Sequence, residues 1–307
     1  MVNMLDLVES YLLECQARQL SPRTIETYNK LLRPLFLWLG DNHDVQTIEQ
    51  LTPQHYKMYL LFKEKGGAKP QYINDILRVM RTFSRYLLEE GYVNRLLTEK
   101  IRNVRQPKVK IVSFNEKEVR EMIGYYSRAD FLNVRNKTLL MLFFDTGARC
   151  DEVLSMRLDQ ITPNHILLHG KGKKDRFVPL SPVLRKQIQK YQKVRERYFR
   201  NKLVPDILFP SKTGRKLTTE MMNIIIKEAA EEVGVRKTVR ASPHTCRHTF
   251  AHTQLRNGCD IYTLSRLLGH ESVSITQRYL EGIQDEQVLA IGLKYSPLMN
   301  LGRTERE

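Results

Sequence analysis

Residues 165–180 read HILLHGKGKKDRFVPL, two short apolar segments on either side of a Gly- and Lys-rich turn. That is the pattern of a β-hairpin, and it is the one clear β feature in the chain. Helical patterns lie on both sides of it, so the fold is expected to be mainly α with a small β-hairpin in its C-terminal part. Downstream, helices are expected over Ser181 to Arg200, Thr219 to Val233 and Pro243 to Asn257, with shorter pieces beyond. Upstream, Ser113 with Glu116 three residues on reads as a capping box that opens a domain over residues 113–307. Before it, RNVRQPKVKIV (102–112) is basic, holds one proline and has no amphipathic period, so residues 107–112 read as an exposed linker.

Residues 1–106 read as an all-helical unit. Leu5, Val8, Leu12 and Cys15 recur at helical spacing, and Ser21-Pro22 places an N-cap before a proline at the first helical position. The stretch TIETYNKLLRPLFLWLG (24–40) is expected to stop at Gly40 and to kink or break at Pro34, which removes a backbone donor. Thr52-Pro53 starts a helix that ends at Gly66-Gly67, and a longer one runs from Pro70 to Glu90 and stops at Gly91. On that last helix Arg78, Arg81 and Arg85 stand three and four apart, either a solvated face or a phosphate-contacting one.

A length of 307 residues favours two domains. Fifty Lys and Arg against thirty-four Asp and Glu give +16, a surplus that favours a polyanion, either nucleic acid or an anionic membrane surface. No apolar run reaches the roughly 20 residues of a membrane span. The opening MVNMLDLVES lacks the basic region of a secretory signal. Cys15, Cys150, Cys246 and Cys259 are scattered without C-x-x-C pairing, which suits free thiols in a reducing compartment, so the cytoplasm is expected.

Cutting a phosphodiester without a metal needs a neutralised phosphate, an in-line nucleophile and a proton for the departing oxygen. Guanidinium forks suit the first task, positioned cations stabilise the developing charge, and a Tyr, Ser or Cys can store the bond covalently. Five segments supply such groups in order. TGARCDEVL (146–154) holds Arg149, HGKGKKDRFVPL (169–180) holds Lys171, SPHTCRHTF (242–250) holds His244 and Arg247, LLGH (267–270) holds His270, and ITQRYL (275–280) holds Tyr279. Each alone is weak: an H-x-x-R occurs by chance, GKG is a flexible basic turn, and a lone Tyr is most often a half-buried aromatic.

Together these segments resemble the signature boxes of the tyrosine recombinase, or phage integrase, family, in that family's order and spacing. SPRTIETYNKLLRPLFLWL (21–39) more loosely resembles the start of its core-binding domain. The resemblance implies a two-domain DNA clamp: a helical core-binding unit and a catalytic domain. It implies Tyr279 as nucleophile, Arg149 and Arg247 on the non-bridging phosphate oxygens, and Lys171 as general acid for the leaving 5′ oxygen. Lys173 and Lys174 are neighbours that contact DNA and are easily confused with Lys171. His244 and His270 would hydrogen-bond the phosphate and manage the nucleophile's proton. Glu152, three residues after Arg149, would orient Arg149 or a histidine. Ala148 and Cys150 depart from the residues common beside Arg149.

The resemblance further implies a site-specific recombinase acting on double-stranded DNA at a short inverted repeat, with no metal and no cofactor. It implies a homotetramer or heterotetramer linked by exchange of the tail EGIQDEQVLAIGLKYSPL (281–298). The absence of an arm-binding segment before the core-binding unit looks like the Xer-type resolving enzymes or the simpler mobile-element recombinases. Two other functions stay open: type IB topoisomerase-like relaxation, and non-catalytic DNA binding on the same fold. A third reading concerns His244, His248 and His252, which fall four apart on one helix face and could hold zinc. No H-E-x-x-H accompanies them, so His248 and His252 read rather as packing or supporting residues.

Overall fold

A computed structural model describes residues 2–107, 111–170, 175–280 and 293 of the chain. The chain divides into two compact units, Met1–Val109 and Lys110–Glu307.

Among the described residues the first unit holds four α-helices, α1 (Met4–Ala17), α2 (Pro22–His43), α3 (Pro53–Lys65) and α4 (Pro70–Glu89). The ends follow local chemistry. Ser21 Oγ accepts the Thr24 amide at 3.2 Å, and Gly91 takes the left-handed conformation just past α4. The core gathers Leu7 and Tyr11 of α1, Leu32, Leu35 and Leu39 of α2, Tyr56 of α3 and Leu77, Met80 and Phe83 of α4. The expected break at Pro34 and stop at Gly40 do not occur: α2 runs unbroken to His43. Pro34 lies on the exposed side of the helix, so the carbonyl that loses its amide partner faces water while Leu35 and Phe36 hold the other side in the core. Asp44, not Gly40, ends the helix in the left-handed conformation, with its N–H on Leu39 O.

The second unit begins with α5 (Glu116–Tyr125). Its cap is Asn115 with Glu118 rather than Ser113 with Glu116: the Glu118 amide donates to Asn115 Oδ1 and the Asn115 amide to Glu118 Oε2, each at 2.8 Å. The same cap-and-acid spacing recurs two residues on, and Asn caps as well as Ser. Ser113 is drawn instead to His252, its Oγ 3.3 Å from the ring Nδ1. The unit continues with α6 (Phe131–Thr146), α7 (Cys150–Leu154), the strands β1 (His165–Leu168) and β2 (Arg176–Pro179), then α8 (Pro182–Tyr198), α9 (Thr219–Glu232), α10 (Pro243–Arg256), α11 (Ile261–Leu268) and α12 (Val273–Gln277).

Helix α6 is the hub, packed by α5, α8 and α10, with Leu139, Leu140, Leu142 and Phe143 buried. The strands pair antiparallel. Ile166 faces Val178 and Leu168 faces Arg176 on the buried side, while Phe177 is exposed on the other. A separate apolar cluster joins Phe250, Ala251 and Leu255 of α10 to Leu264 and Leu268 of α11 and to Tyr279. The four cysteines are free. Among the described residues no helix is long and apolar enough to cross a membrane.

Candidate active site

Two helix ends build the site. Helix α6 ends at Gly147 (φ +60°), and α11 ends at Gly269 (φ +64°). The last carbonyls of a helix lack intrahelical partners and carry the negative end of its dipole, so they attract cations. At the end of α11 three successive carbonyls each receive a guanidinium: Leu267 O from Arg176 Nε at 2.7 Å, Leu268 O from Arg247 Nη2 at 2.6 Å, and Gly269 O from Arg149 Nη2 at 2.8 Å. Arg247 Nη1 donates also to Gly147 O, at 2.8 Å. Thus residues far apart in the chain are locked side by side by backbone oxygens.

Glu152 supplies the counter-charge. Its Oε1 accepts Arg149 Nη1 at 3.0 Å and Arg176 Nη1 at 2.7 Å; its Oε2 accepts the Arg149 amide at 2.7 Å and Arg176 Nη2 at 2.8 Å. Burial opposes ionisation of this carboxyl, but the Arg176 fork and the Arg149 contacts outweigh it and hold its pKa below the usual range. Arg247 is buried, and desolvation followed by the charges of Arg149 and Arg176 pulls its pKa down to about 10, so it stays charged at neutral pH. Arg149 keeps 40% of its side chain exposed. Three guanidinium groups against one carboxylate leave a positive surplus, and of the three only Arg149 is substantially exposed.

His270 Nε2 lies 3.0 Å from Arg247 Nη2. Arginine only donates, so Nε2 accepts and the ring proton sits on Nδ1, which donates to Thr276 Oγ1 at 2.7 Å. Burial, then the Arg247 and Arg149 charges, push the His270 pKa down to about 4, consistent with this neutral ring. His244, on the first turn of α10, is exposed; partial desolvation and then Arg247 lower its pKa.

Tyr279 is 2% exposed. Its hydroxyl lies 2.9 Å from His248 Nδ1. Burial and then the Arg278 charge push His248 down to about 4, so its ring is neutral. The Tyr279 ring lies 5.5 Å from the rings of both His248 and His252, with the Arg278 guanidinium 5.4 Å over its face.

The structure therefore brings Arg149, Glu152, Arg247 and His270 into one hydrogen-bonded network, and sets Tyr279 beside it through His248, the neighbour of Arg247. Lys171, Lys173 and Lys174 lie outside the described residues; on either side of them His169 Nδ1 and Asp175 Oδ1 stand 3.0 Å apart. In the first unit Arg78 pairs with Asp75 at 3.1 Å and stays largely exposed, and Arg85 is exposed. Arg81 is half-buried and donates to Asn103 Oδ1 and Ile101 O, both at 2.8 Å.

Sequence reasoning missed Arg176 and undervalued His248. For Arg176 a signal existed: it falls on the side of β2 that carries Val178, where an arginine needs a buried acceptor. His248 shares a helix face with His244 and His252, but nothing local says that this face receives the tyrosine. His248 and His252 have Tyr279 and Ser113 as partners. Among the described residues no group of three or more His, Cys, Asp or Glu stands close enough to hold a metal ion.

Comparison with known proteins shows the family of the chain. Residues 113–284 match the phage integrase family, and residues 8–91 match the phage integrase N-terminal SAM-like domain. The chain is 30% identical over 265 residues to tyrosine recombinase XerC of Lactobacillus delbrueckii subsp. bulgaricus, covering 85% of this chain and 89% of that one. It is 29% identical over 286 residues to tyrosine recombinase XerD of Lacticaseibacillus casei, covering 91% and 94%. Among solved structures it shares its fold with XerH site-specific recombinase bound to palindromic difH substrate in a post-cleavage complex, at TM-score 0.75 and 19% identity, covering 93% of this chain and 83% of that one.

Proposed function

The chain belongs to the phage integrase family of tyrosine recombinases, enzymes that break and rejoin DNA at specific sites, and on that premise we propose that Tyr279 is its nucleophile. The observation that carries this reading is the gathering of Arg149, Arg247 and His270 around the last carbonyls of α11, with Tyr279 hydrogen-bonded to the residue after Arg247.

The two guanidinium groups bind the non-bridging oxygens of the scissile phosphate and stabilise charge as it builds. The phenol first exchanges its hydrogen bond to His248 for the phosphate. Its oxygen then bonds to phosphorus while the phosphorus–O5′ bond breaks. The phenol proton passes to a ring nitrogen of His244, and Lys171 gives a proton to the departing 5′ oxygen. The products are a 3′-phosphotyrosine and a free 5′-hydroxyl. Attack by the 5′-hydroxyl of a partner strand reverses the steps; the phosphodiester energy is conserved, so no cofactor is called for.

The partner is double-stranded DNA, at a short inverted repeat, in the cytoplasm. Arg78 and Arg85 of α4, with Lys173 and Lys174, contact its backbone, while Arg81 acts from within by tying residues 101–103 to α4. The net charge of +16 supports such a grip, which weakens steeply with salt as phosphates are neutralised. Four protomers work together through exchange of the tail after Leu280, which lies outside the described residues apart from residue 293. Truncation at Gly282 then leaves DNA binding and removes cooperative assembly.

The test is incubation with a nicked duplex that carries the recombination site and traps the cut strand. Wild type is expected to form a covalent protein–DNA adduct and Tyr279→Phe none, with DNA binding retained. An adduct that persists in Tyr279→Phe refutes the assignment.

A further inference from the structure

We propose that Arg176 is a positioning residue for DNA cleavage: through Glu152 it fixes the direction in which Arg149 presents its guanidinium to the phosphate. This rests on the reading of Arg149 given above.

Arg176 opens β2, and its side chain is 8% exposed, so substrate does not reach it. It grips both oxygens of Glu152, at 2.7 and 2.8 Å, and places Nε on Leu267 O at 2.7 Å. A planar fork bound at three points has no rotational freedom left. The carboxylate it holds is the one that receives both the backbone amide and the guanidinium of Arg149. Arg149 itself is the extended residue that caps the short helix α7, with 40% of its side chain exposed, so its own packing does not fix it. Its direction is set by two contacts, Glu152 Oε1 and Gly269 O, and Arg176 touches the residues that supply both. At Gly269 the fit is close enough that an added Cβ would come 2.9 Å from Arg176 Cδ and 3.0 Å from Nη1. Remove Arg176, and Glu152 keeps a single cationic partner in a buried place; the carboxylate then draws the Arg149 guanidinium inward, away from the accessible side.

A purely structural ion pair would serve any chemistry of the unit equally. A positioning role makes a sharper statement, because Arg149 acts on the phosphate's negative charge. Replacing one non-bridging oxygen of the scissile phosphate by a methyl group removes that charge and with it most of the need for Arg149.

The test measures single-turnover adduct formation by full-length Arg176→Lys and Arg176→Gln on nicked duplexes with either an ordinary or a methylphosphonate linkage at the scissile position. Arg149→Ala serves as the reference pattern, and gel-shift binding and thermal melting are followed alongside. Relative to wild type, cleavage of the ordinary linkage is expected to fall about 100-fold, the scale of a misplaced catalytic group. On the methylphosphonate the loss shrinks to less than about fivefold. Equal losses on both substrates, or no loss on either, overturn the proposal. A second measurement covers the case in which Arg176→Gln folds poorly: Glu152→Gln must show the same selective loss. Glu152→Gln/Arg176→Gln must be no worse than the poorer single variant, since both act through one contact; losses that multiply overturn the proposal. A wild-type chain that forms no adduct at all refutes the nucleophile assignment instead, and the two failures are told apart by that control.

Discussion

Replacing Gly147 by alanine strikes the joint on which Arg247 hangs. Gly147 sits at φ +60°, and an added Cβ would stand 2.4 Å from Phe250 Cδ1 and 2.9 Å from Cγ. Phe250 is 5% exposed and packed among Ala251, Leu255 and Leu268, so the ring has little room to retreat. The left-handed backbone costs alanine about 1–2 kcal/mol. Overpacking of a filled core adds about 1–3 kcal/mol. The loss is therefore about 2–5 kcal/mol, which lowers the melting temperature of a unit this size by roughly 4–20 °C. Function suffers as well, because the Gly147 carbonyl accepts Arg247 Nη1 and moves with the strained backbone; a displacement near 1 Å lowers cleavage on the order of 100-fold. Calorimetry of the Lys110–Glu307 transition and single-turnover adduct formation read the two effects. The matched control is Gly124→Ala on α5, where an added Cβ meets nothing within 4 Å and the backbone is not left-handed. That change is expected to be neutral or to stabilise by up to about 1 kcal/mol. A Gly147→Ala chain that melts within a degree of wild type refutes the reasoning.

Three further outcomes are expected. His248 and His270 are neutral in the folded chain, with pKa values pushed down to about 4, whereas the unfolded chain takes up these protons near 6.5. The unfolded state then binds more protons, so stability is full above about pH 6.5 and falls as the pH drops toward about 4. A melting temperature that does not change between pH 7 and pH 5 contradicts this. Glu118→Ala removes the α5 capping box and the 2.8 Å contact from Arg236 Nε, and chemical denaturation should show a loss of about 1–2 kcal/mol; wild-type stability would rule the cap out as a determinant. Arg85→Ala should weaken DNA binding by a similar factor on specific and unrelated sequences and reduce the salt slope by about one, as loss of a phosphate contact requires; a loss confined to one base position would point to base readout instead.

Features whose cause lies within a few residues can be read directly along the chain. Ser21 before Pro22, Gly91 after α4 and the apolar runs around the lysine turn each declare a helix end or a strand pair, because capping and strand pairing across a short turn are short-range effects. The family could also be read, from five segments that resemble its signature boxes. Even local reasoning has bounds: Pro34 was expected to break α2, and the helix continues because its unpaired carbonyl happens to face water.

The site's working geometry is of another kind. Arg149 meets Gly269 across 120 positions, and Arg247 meets Gly147 across 100. Arg176 reaches Leu267 across 91, and Tyr279 is received by a histidine 31 residues before it. No periodicity records such partners, because a carbonyl oxygen is present at every position and only the packing of α6, α10 and α11 decides which ones remain free and within reach of a guanidinium. The order of chemical groups is a property of the chain; their convergence is a property of where three helices end.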